Sequence, residues 1–416
     1  MNFKTFFIKT LGCKVNQYET QAIIEILQNQ NKMLVSEQKA EVIILNSCAV
    51  TQGAFTDLKK SVRHFVSINP TAKIIVIGCA AQVLKDKISL WPEVNTIIPQ
   101  DKKFSFFQKT SFNNPFPNIN NYFRARAVLK VQDGCSHHCT YCIVPLTRGK
   151  SISRKPKDIL LEIKRLAQAG FKEIILSGIN LRQYGRDLEN KMNFWELIDF
   201  LGNNFNFLKH NIRIRLSSIE PADLTTQALL ILKTHHFICP HLHISLQSGS
   251  NTILKKMGRG HYKAENLLDF CAKLNSIWPI YGLGLDLLVG FPGETEQNFN
   301  HTYELVNKLP LSYAHVFPYS PRPNTKAINI PDQVPQTLKK QRTKLLRELV
   351  QNKRKDFYQK VLKLHEVNVI VENSNLGTTE HYLQVKFTEP TNKPIKSVQK
   401  AKPIRIENDR LLVKLF

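Results

Sequence analysis

The sequence of 416 residues lacks any long apolar run. A helix that spans a bilayer needs about 20 consecutive apolar residues, and no stretch of this chain approaches that length. The opening segment, MNFKTFFIKTLGCKVN, also lacks the apolar core and the small-residue cleavage site of a secretory signal peptide. We therefore expect a cytoplasmic protein without a membrane partner.

Cysteine and acidic residues are also scarce. Eight cysteines are too few for the disulfide framework of a secreted domain, and clustered cysteines in a reducing compartment indicate metal or redox chemistry. Only 33 Asp and Glu oppose 58 Lys and Arg, which gives a formal net charge of +25. This excess favours a polyanionic partner, nucleic acid first and an anionic membrane surface second, although a generally basic proteome would also produce it.

What is present divides into three parts. Over residues 1–112, strand and helix patterns alternate, which predicts an α/β domain with a parallel sheet. The Asn- and Pro-rich segment Ser111–Asn121 predicts a linker. Six strand–helix units over 122–353 are too few for a closed eightfold barrel and predict a partial (β/α)6 barrel. Short strands over 354–416 predict a small, self-contained all-β barrel of a kind often used on RNA.

A basic helix is predicted between the second and third parts. Gln336–Lys355 contains eight Lys or Arg and a single Glu. Together with the tail barrel it is a candidate contact for an RNA backbone, because phosphates attract such charges. A solvated helix face is an equally good interpretation of any single one of these charges.

Three cysteines lie close together in GCSHHCTYC. Cys135, Cys139 and Cys142 have the spacing C-x3-C-x2-C and follow the predicted strand AVLKVQ, at the edge where ligand sites of βα folds collect. Three thiolates can hold three irons of a 4Fe-4S cluster and leave the fourth iron open to a small molecule. The alternative is a zinc knuckle completed by His137 or His138, which so tight a loop would close tetrahedrally only with difficulty.

Three further cysteines are spread through the first part. Cys13, Cys48 and Cys79 each end one of its first three predicted strands, about one βα unit apart. Neighbouring parallel strands would bring the three sulfurs to one sheet edge, so a second three-thiolate cluster is plausible without a local motif. The alternative is three unrelated buried cysteines, since free cysteine is commonly buried. Cys239 and Cys271 have no such company, and we expect them to serve packing.

These motifs together resemble the radical S-adenosylmethionine (SAM) superfamily. TLGCKVNQYET, NSCAVT and IGCAAQ resemble its methylthiotransferase branch, and the β-rich tail resembles the TRAM RNA-binding domain of that branch. RLSSIEP, HLHISLQSGS and GFPGET extend the resemblance to nearly the whole chain. Within the branch, Lys14 and Val15 resemble the type that modifies N6-threonylcarbamoyladenosine in tRNA. Ser47 is a mild departure, because threonine is more usual there.

The resemblance implies a transferase with two [4Fe-4S] clusters and SAM as cofactors. The implied cluster ligands are Cys135, Cys139 and Cys142 for the cluster that binds SAM, and Cys13, Cys48 and Cys79 for an auxiliary cluster that carries the transferred sulfur. Gly178, Ser245 and Gln247, at strand ends of the second part, are the implied contacts of SAM.

The implied reaction converts N6-threonylcarbamoyladenosine at position 37 of tRNA, beside the anticodon, to its 2-methylthio derivative. The implied partners are the tRNA anticodon loop, a reducing electron donor protein and a sulfur donor. Alternatives are the same chemistry on isopentenyladenosine tRNA or on a ribosomal protein, whose enzymes usually carry Gln-Met or Pro-Lys where this chain has Lys14 and Val15. A non-catalytic iron–sulfur RNA-binding protein is a further alternative, although it would not need the strand-end motifs for SAM.

Overall fold

The first part of the chain is a parallel sheet with helices around it. The computed structural model describes residues 3–110 and 114–416. The elements of the first part are β1 (Thr5–Thr10), α1 (Lys14–Gln28), β2 (Met33–Leu34), β3 (Val42–Ser47), α2 (Gln52–Ile68), β4 (Lys73–Gly78), α3 (Cys79–Val83), α4 (Lys85–Ile88), β5 (Val94–Pro99) and α5 (Lys103–Gln108). The strand order is β2-β1-β3-β4-β5, and every pairing is parallel. The strands β1, β3 and β4 are therefore neighbours that end at one edge.

The second part is a partial barrel of parallel strands. Its elements are β6 (Ala127–Lys130), β7 (Gln132–Asp133), α6 (Val144–Arg148), β8 (Ile152–Ser153), α7 (Pro156–Gln168), β9 (Glu173–Ser177), α8 (Phe194–Asn204), β10 (Arg213–Leu216), β11 (Ser218–Ile219), α9 (Thr226–Thr234), β12 (His241–Gln247), α10 (Asn251–Lys256), α11 (Asn266–Leu274), β13 (Gly282–Val289), α12 (Glu296–Lys308) and β14 (Tyr313–Pro318). One sheet has the order β10-β9-β6 and the next β11-β12-β13-β14, with β11 continuing β10 beyond Ser217. The predicted partial (β/α)6 barrel is confirmed.

The predicted small all-β barrel of the tail is confirmed, and it is closed by five strands. It follows the long helix α13 (Gln336–Leu362) and consists of β15 (Val367–Val371), β16 (Leu376–Thr379), β17 (Gln384–Phe387), β18 (Val398–Glu407) and β19 (Arg410–Leu415). The helix continues two turns past its predicted end at Lys355. Phe357, Tyr358 and Val361 on these turns belong to the core of the tail barrel, which explains the extension.

We propose that the three parts are domains over 1–112, 122–353 and 354–416, the last limit falling inside α13. The predicted linker is packed where it is described, over 114–121; its residues 111–113 lie outside the described residues. Ile119 is fully buried, and the carbonyl of Pro117 accepts a hydrogen bond from the Tyr18 hydroxyl at 2.6 Å. Within 3–110 and 114–416, no helix combines the length and the apolar character that crossing a membrane requires.

The tail closes the lower end of the partial barrel, where its strands begin. Arg215 donates hydrogen bonds to the backbone carbonyls of Thr379 and Glu380, at 3.1 and 2.9 Å. The Tyr382 ring lies 5.1 Å from the Arg215 guanidinium and 4.6 Å from the ring of His241, the first residue of β12. The tail barrel therefore has its own core and is also bonded to the partial barrel. That it is self-contained stays a prediction.

A buried carboxylate holds this lower end together. Glu173 is fully buried between Arg215 and Arg213, at 2.6 and 2.7 Å. Burial alone would raise the pKa of the Glu173 carboxyl, but Arg215 and then Arg213 lower this pKa to about 2. The carboxylate therefore stabilises the fold above its ordinary pKa near 4.5, and this stability is lost as the pH falls towards 2.

Glu173→Gln should lower the free energy of unfolding at pH 7 by about 3–5 kcal/mol, because two buried guanidiniums lose their anion. It should also flatten the decline of stability between about pH 4.5 and 2. Urea unfolding at a series of pH values measures both effects. Glu372→Gln is the matched control, since Glu372 pairs with Arg126 at 2.9 Å but is partly exposed and should matter little. Equal acid sensitivity in Glu173→Gln and the unaltered protein would contradict this assignment.

Candidate iron–sulfur site

The first group of cysteines lies in an irregular turn between β7 and α6, at the upper end of the barrel. The backbone N–H of Cys142 donates to the carbonyl of Cys139 at 3.1 Å, and the N–H of Cys135 donates to the carbonyl of Gly149 at 3.0 Å. Cys135 acts electrostatically on the thiols of both Cys139 and Cys142, and Cys139 acts on that of Cys142, so the three sulfurs share one small region. Cys135, Cys139 and Cys142, which the sequence places in one group, thus also lie together in the structure.

Two polar side chains approach these sulfurs. The Asn180 amide lies 3.5 Å from Sγ of Cys135, and the Arg259 guanidinium lies 3.6 Å from Sγ of Cys139. Donors of this kind stabilise sulfur ligands of a cluster and adjust its reduction potential. The sequence-based prediction omitted both residues. Asn180 could have been found in LSGIN, two positions after Gly178, whereas Arg259 in MGRGH carries no ligand spacing.

The thiol chemistry fits a metal cluster with three protein ligands. Burial raises the pKa of Cys142 to about 12 and also raises that of Cys139. Buried thiolates need a compensating cation, which the irons of a cluster would supply. The zinc alternative is disfavoured, because the His137 ring bonds the carbonyl of Gly258 at 2.9 Å and His138 is exposed.

Gly178 follows β9 at the same end of the barrel. The Gln132 side chain accepts two backbone hydrogen bonds from the turn after Gly178, at 2.9 and 2.8 Å, and donates to the carbonyl of Gly134 next to Cys135. A Cβ atom added to Gly178 would lie 2.9 Å from the Gln132 oxygen. Glycine thus lets this turn lie directly against the cysteine loop. Its contact with SAM stays a prediction.

Ser245 and Gln247 lie near the end of β12, on the strand face shared with His241 and His243. Arg259, which reaches Cys139, also donates to the carbonyl of Ser245 at 3.1 Å. Pairing with β13 shifts register before Gln247, whose φ of +68° departs from a regular strand. Such irregularities occur next to active sites. The structure thus brings Ser245 to the cysteine loop through Arg259, and both SAM contacts stay predictions.

The second group of cysteines meets at the upper edge of the first sheet. Cys13 is the N-cap of α1, Cys48 directly follows β3, and Cys79 is the first residue of α3. Burial raises the pKa of Cys48 to about 11, with further electrostatic contributions from Cys79 and Cys13. The three thiols therefore lie within electrostatic reach of one another. Their role as cluster ligands stays a prediction. Cys239 and Cys271, by contrast, are buried in the second part.

Gly12 is packed directly against this group. Its φ is +98°, and an added Cβ atom would lie 2.7 Å from Cβ and 3.0 Å from Sγ of Cys48. Both features exclude a larger residue, because the backbone conformation favours glycine and the space is already filled. The position next to Cys13 therefore has to be glycine if Cys48 is to keep its place.

Gly12→Ala should displace Cys48 and prevent the second group from holding iron, so that anaerobically reconstituted protein binds about four irons per chain instead of about eight. Gly170→Ala is the matched control. Gly170 has a φ of +84°, but nothing lies within 4 Å of its added Cβ atom. Both variants should lose about 1–3 kcal/mol of stability from backbone strain, and only Gly12→Ala should lose iron. Equal iron contents would contradict the packing argument.

Comparison with known proteins defines the class. Residues 129–306 match the Radical SAM superfamily, and residues 5–98 match a family described as Uncharacterized protein family UPF0004. Among solved structures, the fold resembles the radical S-adenosylmethionine methyltransferase TsrM from Kitasatospora setae, with a TM-score of 0.54 at 10% identity, covering 76% of this chain and 72% of that one. The partial barrel with its cysteine loop is thus that of a radical SAM enzyme.

Closer relatives narrow the family. The chain is 36% identical to the threonylcarbamoyladenosine tRNA methylthiotransferase MtaB of Rickettsia prowazekii (strain Madrid E), covering 91% of this chain and 90% of the relative. It is 34% identical to the MtaB of Aquifex aeolicus (strain VF5), covering 91% and 95%. It is also 34% identical to the tRNA-2-methylthio-N(6)-dimethylallyladenosine synthase of Clostridium tetani (strain Massachusetts / E88), covering 89% and 86%.

The chain belongs to the family of radical SAM tRNA methylthiotransferases. It is a transferase, and the cofactors of this family, [4Fe-4S] clusters and SAM, agree with the two groups of three cysteines.

Proposed function

We propose that this enzyme converts N6-threonylcarbamoyladenosine at position 37 of tRNA to its 2-methylthio derivative. The observation that carries the reaction type is the presence of two separate three-thiol groups in one chain, each at the upper edge of a parallel sheet. The substrate is supported by the names of the relatives from Rickettsia prowazekii and Aquifex aeolicus. The relative from Clostridium tetani favours isopentenyl-type adenosine as the second candidate.

In this proposal the two groups of cysteines have different tasks. Cys135, Cys139 and Cys142 hold the cluster that binds SAM, and Cys13, Cys48 and Cys79 hold the auxiliary cluster. The cofactors supply a 5′-deoxyadenosyl radical for the unactivated aromatic C–H bond and a methylated sulfur to replace its hydrogen. The protein positions SAM through Gly178, Ser245 and Gln247, which are the contacts that the sequence predicts.

The upper end of the barrel also offers a surface for the base. Phe317, near the end of β14, is 43% exposed and pairs in register with Leu288 of β13. An exposed aromatic ring beside an apolar side chain suits the stacking of an unpaired base. A base of the anticodon loop is already unpaired and can enter such a site at modest cost. We therefore assign Phe317 to contact with the target adenosine.

Not every basic residue of α13 is available to contact the tRNA backbone. Arg342 is 2% exposed and pairs with Glu294 at 2.7 Å, while Lys339 is buried beside the Tyr319 ring at 4.9 Å. Neither cation is available to a phosphate. The remaining basic residues of α13 and those of the tail stay candidates for the tRNA backbone. The chemistry further requires a reductant and a source of sulfur, so an electron donor protein and a sulfur donor complete the proposed partners.

Mass spectrometry of tRNA nucleosides from a deletion strain tests the substrate. Loss of 2-methylthio-N6-threonylcarbamoyladenosine, with accumulation of its precursor, is expected. The chain should restore the nucleoside when supplied in trans, and the Cys48→Ala variant should not. Loss of the methylthio isopentenyladenosine instead would overturn the proposed substrate in favour of the second candidate. Unchanged levels of both nucleosides would overturn the proposal altogether.

A further inference from the structure

A buried network of charges joins the two groups of cysteines. Its members are Glu19 and Lys103 from the first part, and Lys130, Asp133 and Arg148 from the barrel. Their side chains are between 0% and 10% exposed. Glu19 receives Lys103 at 2.6 Å, Lys130 at 2.8 Å and Arg148 at 2.9 Å. Carboxylates and cations from two separate parts of the chain thus meet out of contact with water.

Arg148 occupies the centre of this network. It ends the short helix α6, which starts at Val144, directly after the loop of Cys142. One terminal nitrogen of its guanidinium donates to Glu19 at 2.9 Å and to Asp133 at 2.8 Å. The other donates to Oδ1 of Asn16 at 2.6 Å. Arg148 therefore follows the loop of Cys135, Cys139 and Cys142 in the chain, and its side chain is bonded to residues next to the other group of cysteines.

Asn16 carries the connection to two cysteine-bearing segments. It lies one turn after Cys13 in α1, and its amide donates to the carbonyl of Ser47, the residue before Cys48, at 3.0 Å. The same amide donates to the carbonyl of Leu11 at 2.9 Å. The segments that carry Cys13 and Cys48 are thus both bonded to the Asn16 side chain, which also accepts a hydrogen bond from Arg148.

Ser47 extends the connection to the third segment. Its hydroxyl donates to the carbonyl of Ile77 at 2.5 Å and accepts from the N–H of Ala80 at 3.2 Å. These two groups lie on either side of Cys79. A continuous series of hydrogen bonds therefore runs from Arg148 to all three segments that carry Cys13, Cys48 and Cys79.

The network has a surplus of positive charge. Lys103, Lys130 and Arg148 oppose only two carboxylates, those of Glu19 and Asp133. An unbalanced buried cation is costly unless an anion lies nearby. An oxidised four-iron core is dicationic and three thiolates are trianionic, so a cluster with three cysteine ligands supplies the missing negative charge. Among the neighbours that raise the pKa of Arg148 against its burial, Cys79 is accordingly the first.

We propose that Arg148 is a positioning residue that completes the Cys13–Cys48–Cys79 site from the neighbouring part of the chain, and that its charge keeps the reduction potential of the auxiliary cluster high. This inference rests on the proposed function, because it takes that site to hold a cluster. A positive charge next to a cluster favours the reduced form, which carries one more electron. The same residue ties the auxiliary site to the loop that binds SAM, so both clusters keep a fixed mutual position.

The test is a redox titration of the anaerobically reconstituted, full-length enzyme followed by electron paramagnetic resonance. Addition of SAM changes the signal of the cluster that binds it and so separates the two clusters. Arg148→Gln should shift the auxiliary cluster to a more negative midpoint potential. Arg148→Lys, which retains the positive charge, should leave the midpoint potential close to that of the unaltered enzyme. Glu19→Gln should shift it in the opposite direction, because this change removes a negative charge from the same network.

The opposite signs separate an electrostatic role from a structural one. Damage to the interface alone would shift the midpoint potentials of Arg148→Gln and Glu19→Gln in the same direction. That result would overturn the proposal. Arg154→Gln is the matched control, since Arg154 is another buried cation between the two parts, bonded to Glu162 at 2.7 Å and to Tyr18 at 3.2 Å. Its potential should equal that of the unaltered enzyme.

Two further outcomes are decisive. Equal potentials in all variants, with about eight irons per chain, would overturn the role of Arg148 and leave the proposed function standing. About four irons in the unaltered enzyme, lost on replacing the cysteines of the SAM loop, would show that the auxiliary cluster is absent. That result would overturn the proposed function and this inference together.

Discussion

Cys48→Ala should abolish methylthio transfer while SAM cleavage continues. Cys48 follows β3 in the first sheet, whereas the loop of Cys135, Cys139 and Cys142 belongs to the barrel. In the proposed assignment Cys48 is one of three auxiliary ligands, so its loss removes the sulfur-bearing site but no ligand of the SAM-binding cluster. The amounts of 5′-deoxyadenosine and methylthio nucleoside, measured in one anaerobic reaction, give the two activities. We expect the first near the level of the unaltered enzyme and the second below detection.

Cys271→Ala is the matched control for this experiment. Cys271 is buried in α11, and the carbonyl of the same residue accepts a hydrogen bond from Tyr281, so only packing should be affected. This variant should form both products and bind about eight irons per chain. Loss of both products in Cys48→Ala, with normal behaviour of Cys271→Ala, would show that the two sites do not act separately.

Replacing Cys135, Cys139 and Cys142 together by alanine should have the complementary effect. The variant should bind about four irons per chain instead of about eight and should form no 5′-deoxyadenosine. The reason is that, in the proposed assignment, no cysteine then remains in the loop to hold the cluster that binds SAM. Iron analysis and product analysis of the same preparation measure both quantities. Continued SAM cleavage by this variant would refute the assignment of the SAM-binding cluster.

The fold was predictable where the pattern is local. Alternating strand and helix signals predicted the parallel sheet of the first part, and the regular interval between Cys13, Cys48 and Cys79 predicted their common edge. The loop of Cys135 was recognisable because its three cysteines lie within eight residues of one another. The short strand β16 leaves little pattern in the sequence, because it is four residues long and its Gly377 has no side chain.

The residues around the two groups of cysteines were not predictable in this way. Glu19 and Arg148 are 129 positions apart, and Cys139 and Arg259 are 120 positions apart. No local spacing marks such pairs, because the contact exists only after the first sheet and the barrel have met. The end of α13 was misplaced for a related reason, since Phe357 and Tyr358 are buried in the core of the barrel that the strands after the helix form.

The closed lower end of the barrel also sets an order of events during synthesis. Arg215 leaves the ribosome 165 residues before Glu380, whose carbonyl it binds. At the usual rates of translation this interval lasts on the order of ten seconds. During that time the strands around Glu173 are complete in sequence but open to water at one end. The barrel of the nascent chain is therefore sealed late, by the segment that forms the small C-terminal β-barrel.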